Sequence, residues 1–268
     1  MAFSNYNIIV KRFIVLFLLV LTLSFCGCSA NKNDEQIKLP AFDQITDEVE
    51  TEDDTQQDRK KKYAVSNVNG LRLRTNANTT SQVLGNLDKN DAVLIIDEKG
   101  EFYQTVYKEK TAFVYKDYCS VMEIDYASEE VEKAIDLGCS LLGYPYVWGS
   151  ERYHWGNGKL NANFRSGEFD CSAFTQYVYF LSNSVVLDLT TRTQVYNGKE
   201  VALNDLKRGD LMFFTNQSRK NNVGTERIGH VAIYFGNNYI LHTASDHAVI
   251  EPISSTRWNY YITSRRVV

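Results

Sequence analysis

The chain has 268 residues, 44% hydrophobic and 13% aromatic, enough apolar material for one or two packed domains. Lys and Arg total 29 against 33 Asp and Glu, a net charge of -4 that gives no electrostatic reason to hold a phosphate backbone, so nucleic acid is excluded as an expected partner. With 5 cysteines in this length it is no disulfide-stapled scaffold, and the folded part must rest on its own core.

Lys11 and Arg12 precede an uncharged apolar run from Phe13 to Phe25, the n-region and h-region of an export signal. The run is too short to cross about 30 Å of hydrocarbon as a helix, so a permanent transmembrane anchor is disfavoured. Phe25-Cys26-Gly27-Cys28-Ser29 resembles a bacterial lipobox, with Gly27 before a lipidated Cys28. That resemblance implies a signal peptide over 1–27 and an extracytoplasmic protein tethered to the membrane by lipid on Cys28. The alternative is an ordinary secretory signal with incidental cysteines. From 28 to 62 the chain is polar, with ten acidic residues between Asp34 and Asp58 and then Arg59-Lys60-Lys61-Lys62, and is expected to be a flexible tether ending in a solvated basic run.

Residues 63–123 change to short β-branched and aromatic runs broken by turn residues. Strands are predicted at Leu71–Arg74, Val83–Leu87, Ala92–Ile96, Phe102–Tyr107 and Thr111–Tyr115, which together suggest a small barrel. The stretch Gly70 to Gly85, with Tyr103–Val106 and Ala112–Val114, resembles a bacterial SH3-like domain, although Thr75-Asn76-Ala77 stands where that family has Gly-Pro.

From 125 to 268 helices come first. Ser128 is placed to cap a helix bearing Val131, Ala134, Ile135, Gly138 and Leu142 on one face, ended by Gly143 and Pro145; a second is expected from Asp170 to Leu181. Strands follow at Asp210–Phe214, Gly229–Phe235 and Tyr239–Thr243, an α+β pattern.

Three elements of this block can carry chemistry. Cys171 opens the second helix, where free N–H groups and the macrodipole favour a thiolate. His230 shares a strand face with Ala232 and Tyr234, and can face a helix packed on that sheet. A three-residue loop Gly236-Asn237-Asn238 would set Phe235 against Tyr239 and Ala232 against His242, putting the two histidines on one face; a two-residue loop would reverse that parity. Nucleophile, base and orienting group are the parts of cysteine acyl chemistry. Zinc on Cys171, His230 and His242 is disfavoured because no close ligand pair is present, so neither a metal nor any other cofactor is expected. Cys119 and Cys139 read as packing residues, with a disulfide between them as the alternative.

Four ordered motifs now carry a resemblance: Leu142 to Gly149 (LGYPYVWG), Phe169 to Phe174 (FDCSAF), Leu206 to Phe214 (LKRGDLMFF) and Gly229 to Tyr234 (GHVAIY). They resemble the NlpC/p60 cell-wall peptidases. The resemblance implies a papain-like α+β fold, Cys171 as nucleophile, His230 as base, His242 as the orienting residue, and hydrolysis of the bond between D-γ-glutamyl and the diamino acid in peptidoglycan stem peptides. It further implies Tyr146 beside the thiol, with Trp148, Asp170 and Ser172 lining the substrate cleft, and associates an acid at the Asp170 position with binding a free N-terminal amine. Ala173 replaces the usual Gly, and the segment 150–168, with His154 read as a surface or packing residue, is longer than the common connection. The rival readings are a non-catalytic wall-binding lipoprotein and a thiol amidase or esterase acting elsewhere.

Overall fold

The structure, a computed structural model, describes residues 59–244 and 246–268. The expected signal, Cys28 and the acidic part of the tether lie outside the described residues.

The first eight strands are β1 (Lys60–Ser66), β2 (Leu71–Arg74), β3 (Val83–Leu87), β4 (Ala92–Leu94), β5 (Asp97–Lys99), β6 (Phe102–Tyr107), β7 (Lys110–Tyr115) and β8 (Cys119–Asp125). They form two antiparallel sheets ordered β4-β1-β8 and β3-β2-β7-β6-β5. The run from Ala92 to Ile96, expected as one strand, breaks at a corner: Ile95 N–H donates to Lys62 in one sheet, and Ile96 N–H to Gln104 in the other. Ala92 and Val93 are buried before the crossing, whereas Ile96 beyond it is 49% exposed.

The basic run is not the end of a solvated linker. Lys60, Lys61 and Lys62 open β1, paired in register with Asp125, Ile124 and Glu123. Lys61 Nζ lies 3.1 Å from a Glu132 carboxylate oxygen and also pairs with Asp136. The acids that neutralise these lysines lie more than sixty positions along the chain, which is why local composition reads the segment as tether.

The second half begins with α1 (Glu129–Ser140), its Ser128 hydroxyl accepting from Val131 N–H at 3.3 Å. Gly138 lets this helix press on the sheet, since a Cβ there would collide with Leu241 Cδ2. After α2 (Cys171–Asn183) and the short α3 (Thr191–Gln194) come β9 (Lys199–Val201), β10 (Leu211–Phe214), β11 (His230–Gly236), β12 (Tyr239–Ala244), β13 (His247–Pro252), α4 (Ser255–Asn259) and β14 (Tyr261–Arg266). The six strands make one antiparallel sheet ordered β13-β12-β11-β10-β14-β9.

Alternation divides that sheet. Phe213, Val231, Ile233, Phe235 and Leu241 join the core beneath α1 and α2. Met212, Phe214, Ala232 and Ile240 form a second cluster with Trp258 and Tyr260. The fold is α+β.

The β11–β12 hairpin corrects the expected turn. The loop is Asn237-Asn238, both at positive φ (49° and 64°), and Gly236 pairs with Tyr239. A bulge then drops Phe235 from the ladder, so Tyr234 faces Ile240 and Ile233 faces Leu241. The extra bulged residue offsets the shorter loop, and His242 stays on the face of His230.

Candidate active site

Cys171 is the first residue of α2, and Asp170 is its N-cap, accepting from Ala173 N–H at 2.8 Å. The same carboxylate accepts from the Ser172 hydroxyl (3.0 Å), Gly149 N–H (3.2 Å) and Arg152 Nη2 (2.9 Å), while Arg152 Nη2 also reaches Ser172 Oγ at 3.1 Å. The thiol is buried, only 7% exposed. The thiolate expected from the helix terminus does not form at rest: burial, reinforced by the Asp170 charge, pushes the thiol up to about 12, and the N–H groups of Val231 and Ser172 and the Arg152 charge only moderate this. A helix end contributes a fraction of a charge, too little to offset the desolvation of a full one.

The histidines lie on the face opposite α2. The helix over them is α4, whose Arg257 stands 5.7 Å from the Phe214 ring centre. His230 Nε2 is 2.8 Å from His242 Nδ1, and His242 Nε2 is 2.9 Å from Glu251 Oε1, which also accepts from Arg257 Nη2 at 3.2 Å. Glu251 reaches this line because it pairs with Ile240 across β12–β13 and therefore shares the His242 face. A carboxylate only accepts, so His242 carries its proton on Nε2 and accepts at Nδ1. His230 must then donate from Nε2, which leaves its Nδ1 as a free lone pair. Burial, with the neighbouring His242 and Arg257, holds His230 well below its usual 6.5; burial also lowers His242, against the opposing pull of Glu251. Both imidazoles are neutral at pH 7.

Two grooves meet here. One, about 370 Å3, is lined by Cys171, Asp170, Ser172, Trp148 and Arg152; the other, about 390 Å3, by His230, Arg257 and Tyr260. Tyr146, Asn216 and Gly229 line both, so sulfur and imidazole flank a common junction. Among the described residues the thiol makes no hydrogen bond to either histidine, a looseness usual without substrate. Trp148 is 85% exposed. The segment 150–168 packs rather than floats: Tyr153 and Phe164 sit against Tyr177, and His154 is fully buried 4.6 Å from the Phe180 ring. Cys119 and Cys139 are free thiols. Sequence reasoning missed Arg152, Glu251 and Arg257. Glu251 was within reach of the argument that paired the first two histidine strands, had the β12–β13 register been extended to it.

Residues 143–267 match the NlpC/P60 family, and residues 69–120 match the bacterial SH3 domain. The C-terminal half is an NlpC/P60 domain. Over 158 residues the chain is 34% identical to peptidoglycan DL-endopeptidase CwlO of Bacillus licheniformis, spanning 57% of this chain and 32% of that one. Over 168 residues it is 32% identical to a gamma-D-glutamyl-L-lysine dipeptidyl-peptidase of Bacillus subtilis, spanning 62% of this chain and 49% of that one. An NlpC/P60 family protein from Bacillus cereus superposes with a TM-score of 0.41 at 22% identity, over 77% of this chain and 63% of that one. The chain therefore spans half or less of the length of these two curated relatives. Within the NlpC/P60 domain lie Cys171, His230, His242, Glu251 and Arg257; β1 and α1, which brace it, fall before the matched segment.

Proposed function

We propose that this chain is a peptidoglycan endopeptidase that cleaves the amide between γ-D-glutamyl and the diamino acid of a stem peptide. The observation that carries the reading is the hydrogen-bonded line Glu251, His242, His230, which leaves His230 Nδ1 unprotonated, with His230 lining the groove that shares Tyr146, Asn216 and Gly229 with the Cys171 groove. In this reading Cys171 and His230 rest as a neutral pair. As Cys171 Sγ attacks the γ-carbonyl carbon, its proton passes to His230 Nδ1 and the carbonyl oxygen takes up the negative charge. Collapse returns that proton to the leaving amine and leaves a thioester, which water, deprotonated by His230, hydrolyses. His242 orients the imidazole and Glu251 holds His242 in the tautomer required. Tyr146 and Trp148 bound the cleft, whereas Asp170 and Ser172 act through α2 and Arg152.

The proposed setting is the outer face of the membrane, with lipid on Cys28, a tether ending before Lys60, an SH3-like module and then the peptidase. Incubating the full soluble portion with defined muropeptides and weighing the products tests the reaction. Cys171→Ala is expected to abolish turnover while Cys119→Ala and Cys139→Ala keep most of it. A Cys171→Ala protein as active as the parent would remove the nucleophile from the reading, and a parent that binds wall fragments without cutting them would favour the wall-binding alternative.

A further inference from the structure

Beyond Ser150 and Arg152 the connection 150–168 touches no group of the catalytic line, yet it is firmly held. Tyr153 to Asn161 make a small hairpin. Trp155 N–H donates to Lys159 O (3.0 Å), Asn161 N–H donates to Tyr153 O (2.9 Å), and Gly156 and Gly158 take the positive φ (76° and 78°) that closes the turn. The hairpin rests on α2. His154 N–H donates to Gln176 Oε1 at 3.3 Å, the His154 ring packs on Phe180, and Tyr153 packs on Tyr177 and Phe180. Asn161 is buried and gives Nδ2 to Arg152 O and to Glu151. A loop fixed this well to a rigid element can hold a ligand.

The side chains it turns outward are Trp155, 49% exposed, with Asn157, Lys159 and Leu160. Tryptophan is on average highly buried, and no carboxylate occurs from Tyr153 to Asn161. Among the described residues neither Asn157 Nδ2 nor Lys159 Nζ meets an acceptor; Asn157 Oδ1 closes the turn, accepting from Lys159 N–H at 3.0 Å. An exposed indole with free donors around it fits a neutral sugar. The C–H face of a pyranose packs on the ring, and its hydroxyl and acetamido oxygens accept from the donors.

The hairpin also stands where a sugar would arrive. Gly156 abuts Leu189, the residue before Thr190, and Thr190 and Thr191 line the Cys171 groove. Gln176 and Phe180, on which the hairpin rests, lie about 8 and 14 Å along α2 from Cys171. A stem peptide hangs from its glycan by the amino end. From the scissile γ-glutamyl carbonyl, the glutamyl residue, one alanine and a lactyl bridge span on the order of 10 Å before the first sugar. An unlinked peptide would end instead in an ammonium, and Asp170, the one carboxylate lining that groove, already accepts from four donors, two on each oxygen.

We infer that the hairpin 153–161 is a saccharide platform, on which Trp155 stacks against an N-acetylated sugar of the glycan that carries the stem peptide. The inference rests on the peptidase reading and names its substrate class: glycan-linked stems, taken in preference to free peptides.

Three ligands with one stem peptide provide the test: its alanine nitrogen is free, acetylated, or joined through lactate to the wall disaccharide. Binding is measured by calorimetry on the full soluble portion carrying Cys171→Ala, so that no turnover is needed. The disaccharide form is expected to bind on the order of tenfold more tightly than the acetylated one. Adding Trp155→Ala should bring that ratio close to one and leave binding of the acetylated peptide unchanged, which also shows that the variant is folded; Trp155→Phe should keep part of the preference. Hydrogen exchange on the chain with Trp155 intact gives a second reading, with 153–161 protected by the disaccharide form and not by the acetylated one. Equal binding of those two forms, a preference that survives Trp155→Ala, or no added protection of the hairpin overturns the inference. Turnover by the Cys171-intact chain is scored separately: its absence with the sugar preference intact counts against the peptidase reading alone, and cleavage without that preference counts against the platform alone.

Discussion

Between His230 and the charged rim of α4 stand His242 and Glu251; burial holds both imidazoles down first, and the charges of these neighbours adjust them. Glu251 pulls His242 upward; Arg257 pushes both imidazoles down, and His247 pushes His242 down. Asp91, from the first half of the chain, feels the Glu251 charge in turn. A base whose folded value lies below the unfolded one is active and stabilising in its neutral form. That contribution is complete above about 6.5 and is lost as the pH falls toward the folded value. The acid limb of kcat/KM is therefore expected below 6.5. Glu251→Gln should move it lower still and reduce kcat about tenfold, because the imidazolium formed during acylation loses its counter-charge. Arg257→Gln should move it up. A kcat/KM profile for the two variants checks this, and shifts of the same sign would mean that the line of charges does not control the base. None of it was legible from His230 and His242 alone, because the controlling acid sits on a third strand.

At the scale of an element, α2 depends on a cap that is also an ion pair. The sequence shows the cap, since Asp before Cys171-Ser172 opens a helical run, but not the pair, because Arg152 lies in the long connection that carries no periodicity. Asp170→Ala removes the acceptor of Ala173 N–H and strands the Arg152 guanidinium, whose side chain is 16% exposed. A lost cap costs about 1 kcal/mol and an unpaired buried charge several more, so about 3 kcal/mol is expected in urea unfolding. Asp170→Asn keeps a capping oxygen but offers Arg152 no charge, and should cost about 1 kcal/mol less than Asp170→Ala; equal losses would mean that the cap contributes nothing. Periodicity made both helices and the central strands readable, and it even preserved the histidine parity, although the turn was wrong: Asn237-Asn238 is a two-residue loop whose effect the Phe235 bulge cancels. It failed for the Lys60–Lys62 strand and for the thiol. One depends on acids distant in sequence, the other on burial that outweighs a helix end.

At the scale of the whole molecule, the two halves read from the sequence as separate modules share one core. Tyr63 of β1 packs edge-on against Phe235 with ring centres 4.7 Å apart. Its hydroxyl accepts from Arg208 Nη2 at 2.6 Å. Arg208 also grips Glu132 of α1 through Nε (2.7 Å) and Nη2 (3.0 Å), and donates Nη1 to the Phe235 carbonyl. Asn237, in the hairpin turn, donates to the Glu123 carbonyl of β8 at 3.0 Å. The SH3-like half thus holds both the bulge and the loop that place His242 beside His230, so docking of the first half reaches the site through the hairpin. Two consequences can be measured. Calorimetry of the full soluble portion should show one cooperative unfolding transition, where two domains joined by a free linker would show two. Tyr63→Phe, which deletes one hydrogen bond to a charged group, should lower stability by about 1.5 to 3 kcal/mol. Arg208→Leu, which leaves Glu132 buried with Lys61 at 3.1 Å and the Ala127 N–H at 3.2 Å as its partners among the described residues, should cost about 3 to 5 kcal/mol. Because Phe235 loses its carbonyl partner in the second variant, kcat should fall further in Arg208→Leu than in Tyr63→Phe at a temperature where both remain folded. Two separate transitions in the parent chain, or an Arg208→Leu protein with undiminished kcat, would show that the SH3-like half is carried by the NlpC/P60 half and does not brace it.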